Sequence, residues 1–308
     1  MNSFPGARAP THHHHGRSAA AAGRTRLLIV LGLVVGFLIV ELIGSVLTNS
    51  LALLADAGHM LTDAVGVGLA LLAIQVASRP ATPEKSFGYY RLEILAAAAN
   101  AVLLFGMAAF ILYEAFQRLG EPPTVIGGPM LVIAVVGLAV NVVSVRLLAD
   151  GARSSLNMRG AYLEVLGDLL GSVAVLVASG VILLTGWTLA DPIASVVIAL
   201  LVLPRAWALL REAIDVLLQA TPKHVDLDEV RTHLLGAEGV ADAHDLHAWT
   251  LTSGMTVVSA HVVMRPGADA ASVLDEVCQC LADDFDMEHS TIQLETSDRR
   301  RLEETVHP

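Results

Sequence analysis

Of 308 residues, 54% are hydrophobic and only 16% charged, which is too little charge for an ordinary soluble domain. The net charge is −11, and from residue 213 onward 18 acidic residues stand against 6 basic ones, so the C-terminal stretch holds the whole imbalance. That excess argues against nucleic-acid binding and suits a region that meets cations.

In chain order, residues 1–24 are rich in Pro, Gly, Ala and His and read as a disordered arm. The tract His12 to His15 is either neutral low complexity or a flexible metal-collecting arm. Six apolar runs follow, near 27–47, 51–78, 92–117, 125–149, 160–185 and 190–211. Each is long enough to cross a hydrocarbon core of ~30 Å as a helix. The first is too long for the h-region of a cleavable signal peptide. Basic residues collect before the first run (Arg8, Arg17, Arg24, Arg26), between the second and third (Arg79, Lys85, Arg91), and between the fourth and fifth (Arg146, Arg153, Arg159). Only Arg118 falls in a loop on the opposite side. By the positive-inside rule both termini are cytoplasmic.

Polar residues inside these runs are few. Glu41 lies near the end of the first, where it lines a cavity or reaches the interface. The short turn Thr48-Asn49-Ser50 makes the first two spans antiparallel neighbours. Gly66 and Gly68 permit close helix approach. Glu93 opens the third span and is expected in a structural ion pair, with Arg91 or a basic neighbour. Asn141 needs an internal partner at membrane depth. Asp191-Pro192 is a common helix start. Beyond residue 212 the pattern is helix 226–236, strand 240–251, strand 255–264, helix 270–284 and strand 289–296, with Gly254 turning the hairpin. This αββαβ order predicts a small two-layer α+β domain. Cys278 and Cys280 point to different sides of a helix and read as a reduced pair without a role.

The stretch LLADAGHMLTD (53–63) places Asp56, His59 and Asp63 on one helix face within an apolar run. AYLEVLGD (161–168) repeats the i, i+4 spacing with Glu164 and Asp168. Ionisable groups at such depth are costly and by default functional, whereas a single pair is as easily a helix-joining contact. The two helices run in opposite directions, so His59 is expected level with Asp168, and Asp63 with Glu164. One imidazole and three carboxylates suit Zn²⁺ and its first-row neighbours better than Cu⁺, and no cysteine lies in any span. Metal entry requires deprotonated ligands, so the same groups can hold metal or protons. A site that faces the two sides alternately then exchanges metal for protons. Asp56, a turn away, reads as an exit-path or packing acid.

SLALLADAGHMLTD (50–63), FGYYRLEIL (87–95), AYLEVLGDLLGS (161–172), HDLHAWTLTSG (244–254) and HSTIQLE (289–295) together resemble the cation diffusion facilitator family, and its bacterial zinc/cadmium/cobalt efflux branch in particular. The resemblance covers residues 26–297. It implies a polytopic α-helical membrane protein with six transmembrane helices (25–212) and a C-terminal cytoplasmic α+β ferredoxin-like domain (213–297), followed by a tail (298–308). It further implies a homodimer in the inner membrane that exports Zn²⁺, Cd²⁺ or Co²⁺ for protons, with no enzymatic activity. His59, Asp63, Glu164 and Asp168 fall on the family's transport site. Position 164 is often His in zinc-selective relatives. Glu164 makes the site harder and leaves cobalt, cadmium, iron and manganese open. The loop after the second span has Lys85 and Tyr89 where some members carry histidines, so no zinc is expected there. His244, His261 and Glu295 occupy positions where some relatives bind regulatory metal. Gln293 stands where a His can occur, and His247 and His289 are nearby candidates to substitute as ligands. The competing readings are a passive metal channel, a membrane-tethered metal sensor and an intramembrane metallohydrolase. The last lacks an H-E-x-x-H motif.

Overall fold

The computed structural model describes residues 15–121, 123–149, 156–287 and 289–303. Six long helices come first: α1 (His15–Thr48), α2 (Leu51–Ala77), α3 (Leu92–Gly120), α4 (Gly127–Ala149), α5 (Leu156–Thr185) and α6 (Ala190–Leu217). All six are long and apolar enough to cross a membrane, and their bounds follow the apolar runs of the sequence closely. One expectation changes. Residues 15–24 begin α1 instead of belonging to a disordered arm, because the alanine run 19–22 has the highest helix propensity available. His12 to His14, Arg8 and Arg153 lie outside the described residues.

The contacts divide the chain into two units. The first runs to Ala64 and adds Leu104–Pro204. Its core contains Leu51, Leu53, Ile111, Met130, Ile182 and Ile198, and α4 packs on both α1 and α5. Small residues allow this packing. The Phe37 ring fills the space a side chain at Gly137 would take, and Ile133 does the same at Gly44. Without a hydrophobic drive between helices in lipid, such close approach is what holds a bundle together. Large apolar side chains such as Val46, Phe116 and Leu184 are exposed on its outside, as a lipid-facing surface requires. Asn49, in the α1–α2 turn, adopts a left-handed backbone (φ 56), which Asn tolerates better than most residues.

The second unit comprises Val65–Leu103 and the chain from Arg205 onward. Gly66 meets the Asn100 side chain, as close approach demands, whereas nothing crowds Gly68. Glu93 departs from the expected ion pair. Its carboxylate accepts the Ser253 hydroxyl at 2.7 Å and the Thr252 hydroxyl, donors that no spacing rule links to it.

In the same unit α7 (Leu227–Gly236), β1 (Val240–Thr252), β2 (Met255–Met264), α8 (Ala270–Phe285) and β3 (His289–Glu295) form the expected αββαβ domain. A short α9 (Ser297–Glu303) follows. The sheet order is β1-β2-β3. β1 and β2 pair antiparallel through a turn at Gly254 (φ 74). β2 and β3 pair parallel, and α8 supplies the crossover that a parallel connection needs. Asp226 and Asp269 cap the N-termini of α7 and α8. Val230, Leu234, Val258, Val262, Val277 and Leu281 make the core between helices and sheet.

Candidate metal centre

In the largely apolar α2 the 3.6-residue period lines up Asp56, His59 and Asp63 on one face. His59 Nε2 lies 3.6 Å from Asp63 Oδ2 on the same helix and 3.4 Å from Asp168 Oδ1 on α5. One ring nitrogen thus addresses two carboxylates from two helices, an arrangement suited to a shared cation. His59 and Asp168 are buried, whereas Asp63 and Glu164 are half-buried. Glu164 lies one turn before Asp168 on α5 and makes its own interactions. The first of the two expected rungs, His59 with Asp168, is therefore a direct contact. Asp63 also contacts His59.

Next to these groups the first unit carries a polar cluster, of which the sequence marked single members only. Asn141 Nδ2 donates to Ser172 Oγ at 3.0 Å, which supplies the internal partner that Asn141 required. Asp56 is buried against α5, where a Cβ at Gly171 would come within 2.5 Å of its Oδ1. Glu41 is equally buried and faces Asp56.

Asp191 turns out to be more than a helix start. Its carboxylate accepts the Ser50 hydroxyl at 2.5 Å and the N–H groups of Leu51 and Ala52 at 2.7 and 3.1 Å. It also lies 3.7 Å from Arg118 Nη1. A carboxylate from α6 therefore satisfies the orphan donors at the N-terminus of α2 and complements the dipole there. Arg118 in turn donates to the Asn49 carbonyl at 2.8 Å. The Asp-Pro pair announced a helix terminus, but no sequence signal named α2 as the helix it would cap.

A second cluster belongs to the cytoplasmic-type domain. His244, His261 and Glu295 each present a ligand atom within 4.8 Å of the other two, the one such group among the described residues. His244 and His261 are cross-strand partners on β1 and β2. Glu295, at the end of β3 and buried, meets His261 Nδ1 at 2.8 Å and His244 Nε2 at 3.2 Å. Gln293, the β3 partner of His261, donates to Glu295 Oε1 at 2.6 Å. Asp245 was not foreseen. It sits at an irregularity of β1 with φ 49 and reaches His247 Nε2 at 2.9 Å and His261 Nε2 at 3.7 Å. His289 instead packs edge-on against Phe87 at 5.7 Å. Two imidazoles and a buried carboxylate fit a borderline divalent cation such as Zn²⁺. In the loop after α2, Lys85 stacks over Tyr89 at 4.3 Å.

Comparison with known proteins supplies the family. The profile of the cation efflux transmembrane domain matches residues 27–218, and that of the cation efflux protein cytoplasmic domain matches residues 222–297. The metal cation efflux system protein CzcD of Cupriavidus metallidurans is 50% identical over 91% of this chain and 89% of its own. A cadmium, cobalt and zinc/H(+)-K(+) antiporter of Bacillus velezensis is 41% identical over 88% of each chain. The solved metal-bound C-terminal domain of CzcD from C. metallidurans is 47% identical, spanning 23% of this chain and 99% of that one with a TM-score of 0.22. The chain is thus a multi-pass membrane protein with a C-terminal α+β domain, and it belongs to the cation efflux family, a family of transporters.

Proposed function

We propose that this protein is a secondary transporter that exports divalent transition-metal cations, Zn²⁺ foremost and Cd²⁺ and Co²⁺ beside it, from the cytoplasm in exchange for protons. The observation that carries the reading is His59 Nε2 set between Asp63 and Asp168, with Glu164 one turn from Asp168. These four residues take the cation. The relatives' names, with metal efflux in one and proton exchange in the other, support the same direction. The membrane domain covers residues 25–212 and lies in the inner membrane, with both termini and the domain 213–297 in the cytoplasm. The chain acts as a homodimer and performs no catalytic step.

The chemistry follows from the donor set. A divalent ion binds only deprotonated ligands, so protons and metal compete for His59 and its carboxylates. Proton arrival from the outer side therefore favours metal release there. Scarce protons on the inner side favour loading. His244, His261 and Glu295 hold a regulatory cation that ties β1, β2 and β3 together.

The test is uptake of a panel of metals by reconstituted vesicles, with and without an imposed pH gradient, for the wild type and Glu164→His. A gradient-stimulated flux of Zn²⁺, Cd²⁺ and Co²⁺ is expected, with the variant shifted toward Zn²⁺. Flux indifferent to the gradient describes a passive channel instead. An unchanged metal preference removes Glu164 from the cation's surroundings.

A further inference from the structure

Beside His59 the bundle leaves a cavity of about 10 Å³, room for a single water-sized particle. α2 lines it with Ala55 and His59, α3 with Leu104 and Met107, and α6 with Ala199 and Val202. Among the described residues around it, only His59 and Met107 carry a side-chain atom with a lone pair to offer. The backbone of α2 seats this methionine. A Cβ at Gly58 would come within 2.7 Å of Met107 Sδ and 2.9 Å of its Cε. The thioether therefore rests against α2 at the residue before His59, in a notch that any larger residue at position 58 would fill. Met60, the residue after His59, is buried with Phe37, Leu38 and Ala57 and packs toward α1 instead.

Imidazole and carboxylate donors serve Zn²⁺ and its harder neighbours, whereas sulfur selects softer ions. A thioether is soft and polarizable, and methionine carries it on an unbranched chain that adapts to irregular gaps. We propose that Met107 is a specificity-determining residue of transport: its sulfur, seated at Gly58, enters the surroundings of a cation on His59 and favours Cd²⁺ over Zn²⁺. This rests on the transport reading above. Cd²⁺ is the larger and softer of the two ions. The cavity gives it room on the α3 side of His59, and the flexible methionine turns its sulfur toward the ion without moving the backbone. Zn²⁺ is satisfied by the imidazole and the carboxylates and gains little from a weak neutral donor. Because a thioether takes up no proton, this preference is independent of the pH gradient that drives the exchange.

Competitive uptake of Cd²⁺ and Zn²⁺ by the full-length protein in vesicles provides the test. Met107→Leu removes the sulfur and nearly keeps the volume. It should lower the Cd²⁺/Zn²⁺ flux ratio about tenfold, the low end of what one pocket contact discriminates, with the Zn²⁺ flux little changed. Met60→Leu, the same exchange on the other side of His59, should leave the ratio at the wild-type value. An unchanged ratio in Met107→Leu overturns the proposal and leaves the transport reading intact. An equal fall in both variants also overturns it, because packing around His59 then sets the ratio. A wild type that carries neither ion overturns the transport reading and this proposal with it. If Met107→Leu stops the flux of both ions, X-ray absorption of Cd²⁺ bound to the full-length Cys278→Ser/Cys280→Ser protein decides. A sulfur neighbour is expected there, and a shell of nitrogen and oxygen alone sinks the proposal.

Discussion

The two His–carboxylate clusters use the same donor chemistry on different backbones. In the membrane unit, two candidate ligands come from each of two helices at i, i+4 spacing, and His59 meets Asp63 and Asp168 at 3.6 and 3.4 Å. In the sheet domain, each candidate ligand comes from a different strand, brought together by cross-strand register, and Glu295 meets His261 at 2.8 Å. A site between helices changes when either helix turns or slides. A site stitched across a hydrogen-bonded sheet keeps its geometry as long as the sheet exists. The first arrangement suits a cation that must leave, and the second suits one that stays.

The comparison can be broken most directly at Asp168. Asp168→Ala should lower Zn²⁺ flux in vesicles about a hundredfold, equivalent to ~2.8 kcal/mol at 1.4 kcal/mol per decade. Near-normal flux would mean that the helix-borne groups serve packing alone. His261→Ala should leave flux within severalfold and remove instead the stabilisation by metal of the full-length protein. At a metal concentration a hundredfold above Kd that stabilisation is about 2.7 kcal/mol, readable as a lost rise in Tm on adding Zn²⁺. If His261→Ala stops transport as Asp168→Ala does, the distinction between leaving and staying cations collapses.

Asp191→Asn sharpens the contrast from another side, since it separates acids that meet cargo from acids that hold architecture. Its loss of charge at the cap of α2 should cost ~1–2 kcal/mol in unfolding of the detergent-solubilised protein, with the metal affinity of what remains folded unchanged. The smallest effect is expected at Asp269. The Ser272 N–H and hydroxyl, at 3.0 and 2.9 Å, hold its carboxyl below the usual carboxylate range. A carboxyl lowered on folding adds stability above its unfolded value and loses it as the pH falls through the lowered one. Acid titration of Tm should therefore show a slightly shallower decline in Asp269→Asn than in wild type, and only at the acid end.

Much of this was legible in the sequence because the signals were periodic. Apolar runs of membrane length gave the six helices, alternating runs broken by Gly254 gave the hairpin, and i, i+4 spacing singled out His59, Asp63, Glu164 and Asp168. What escaped was non-periodic. Asp191 finds its partners about 140 residues away at Ser50, Leu51 and Ala52, and nothing in a one-dimensional pattern encodes that meeting. Asp245 joins the histidine cluster only because β1 is irregular there, with a left-handed residue that strand alternation does not anticipate. Residue type offers Glu93 a Lys or Arg partner, whereas its carboxylate meets the Thr252 and Ser253 hydroxyls. The alanines at 19–22 stand among Pro, Gly and His, and composition over such a window conceals the helical preference that α1 displays.

The clamp at Asp191 has a mechanical consequence for α6. That end of the helix is pinned to the start of α2 and, through Arg118, to the α1–α2 turn. Thirteen residues along, roughly 20 Å at 1.5 Å per residue, stands Pro204, which has no N–H for the ladder and crowds the preceding turn. A rod held fast at one end and weakened in the middle flexes at the weak point. α6 is therefore anchored at its Asp191 end, with the weakest position of its own hydrogen-bond ladder at Pro204.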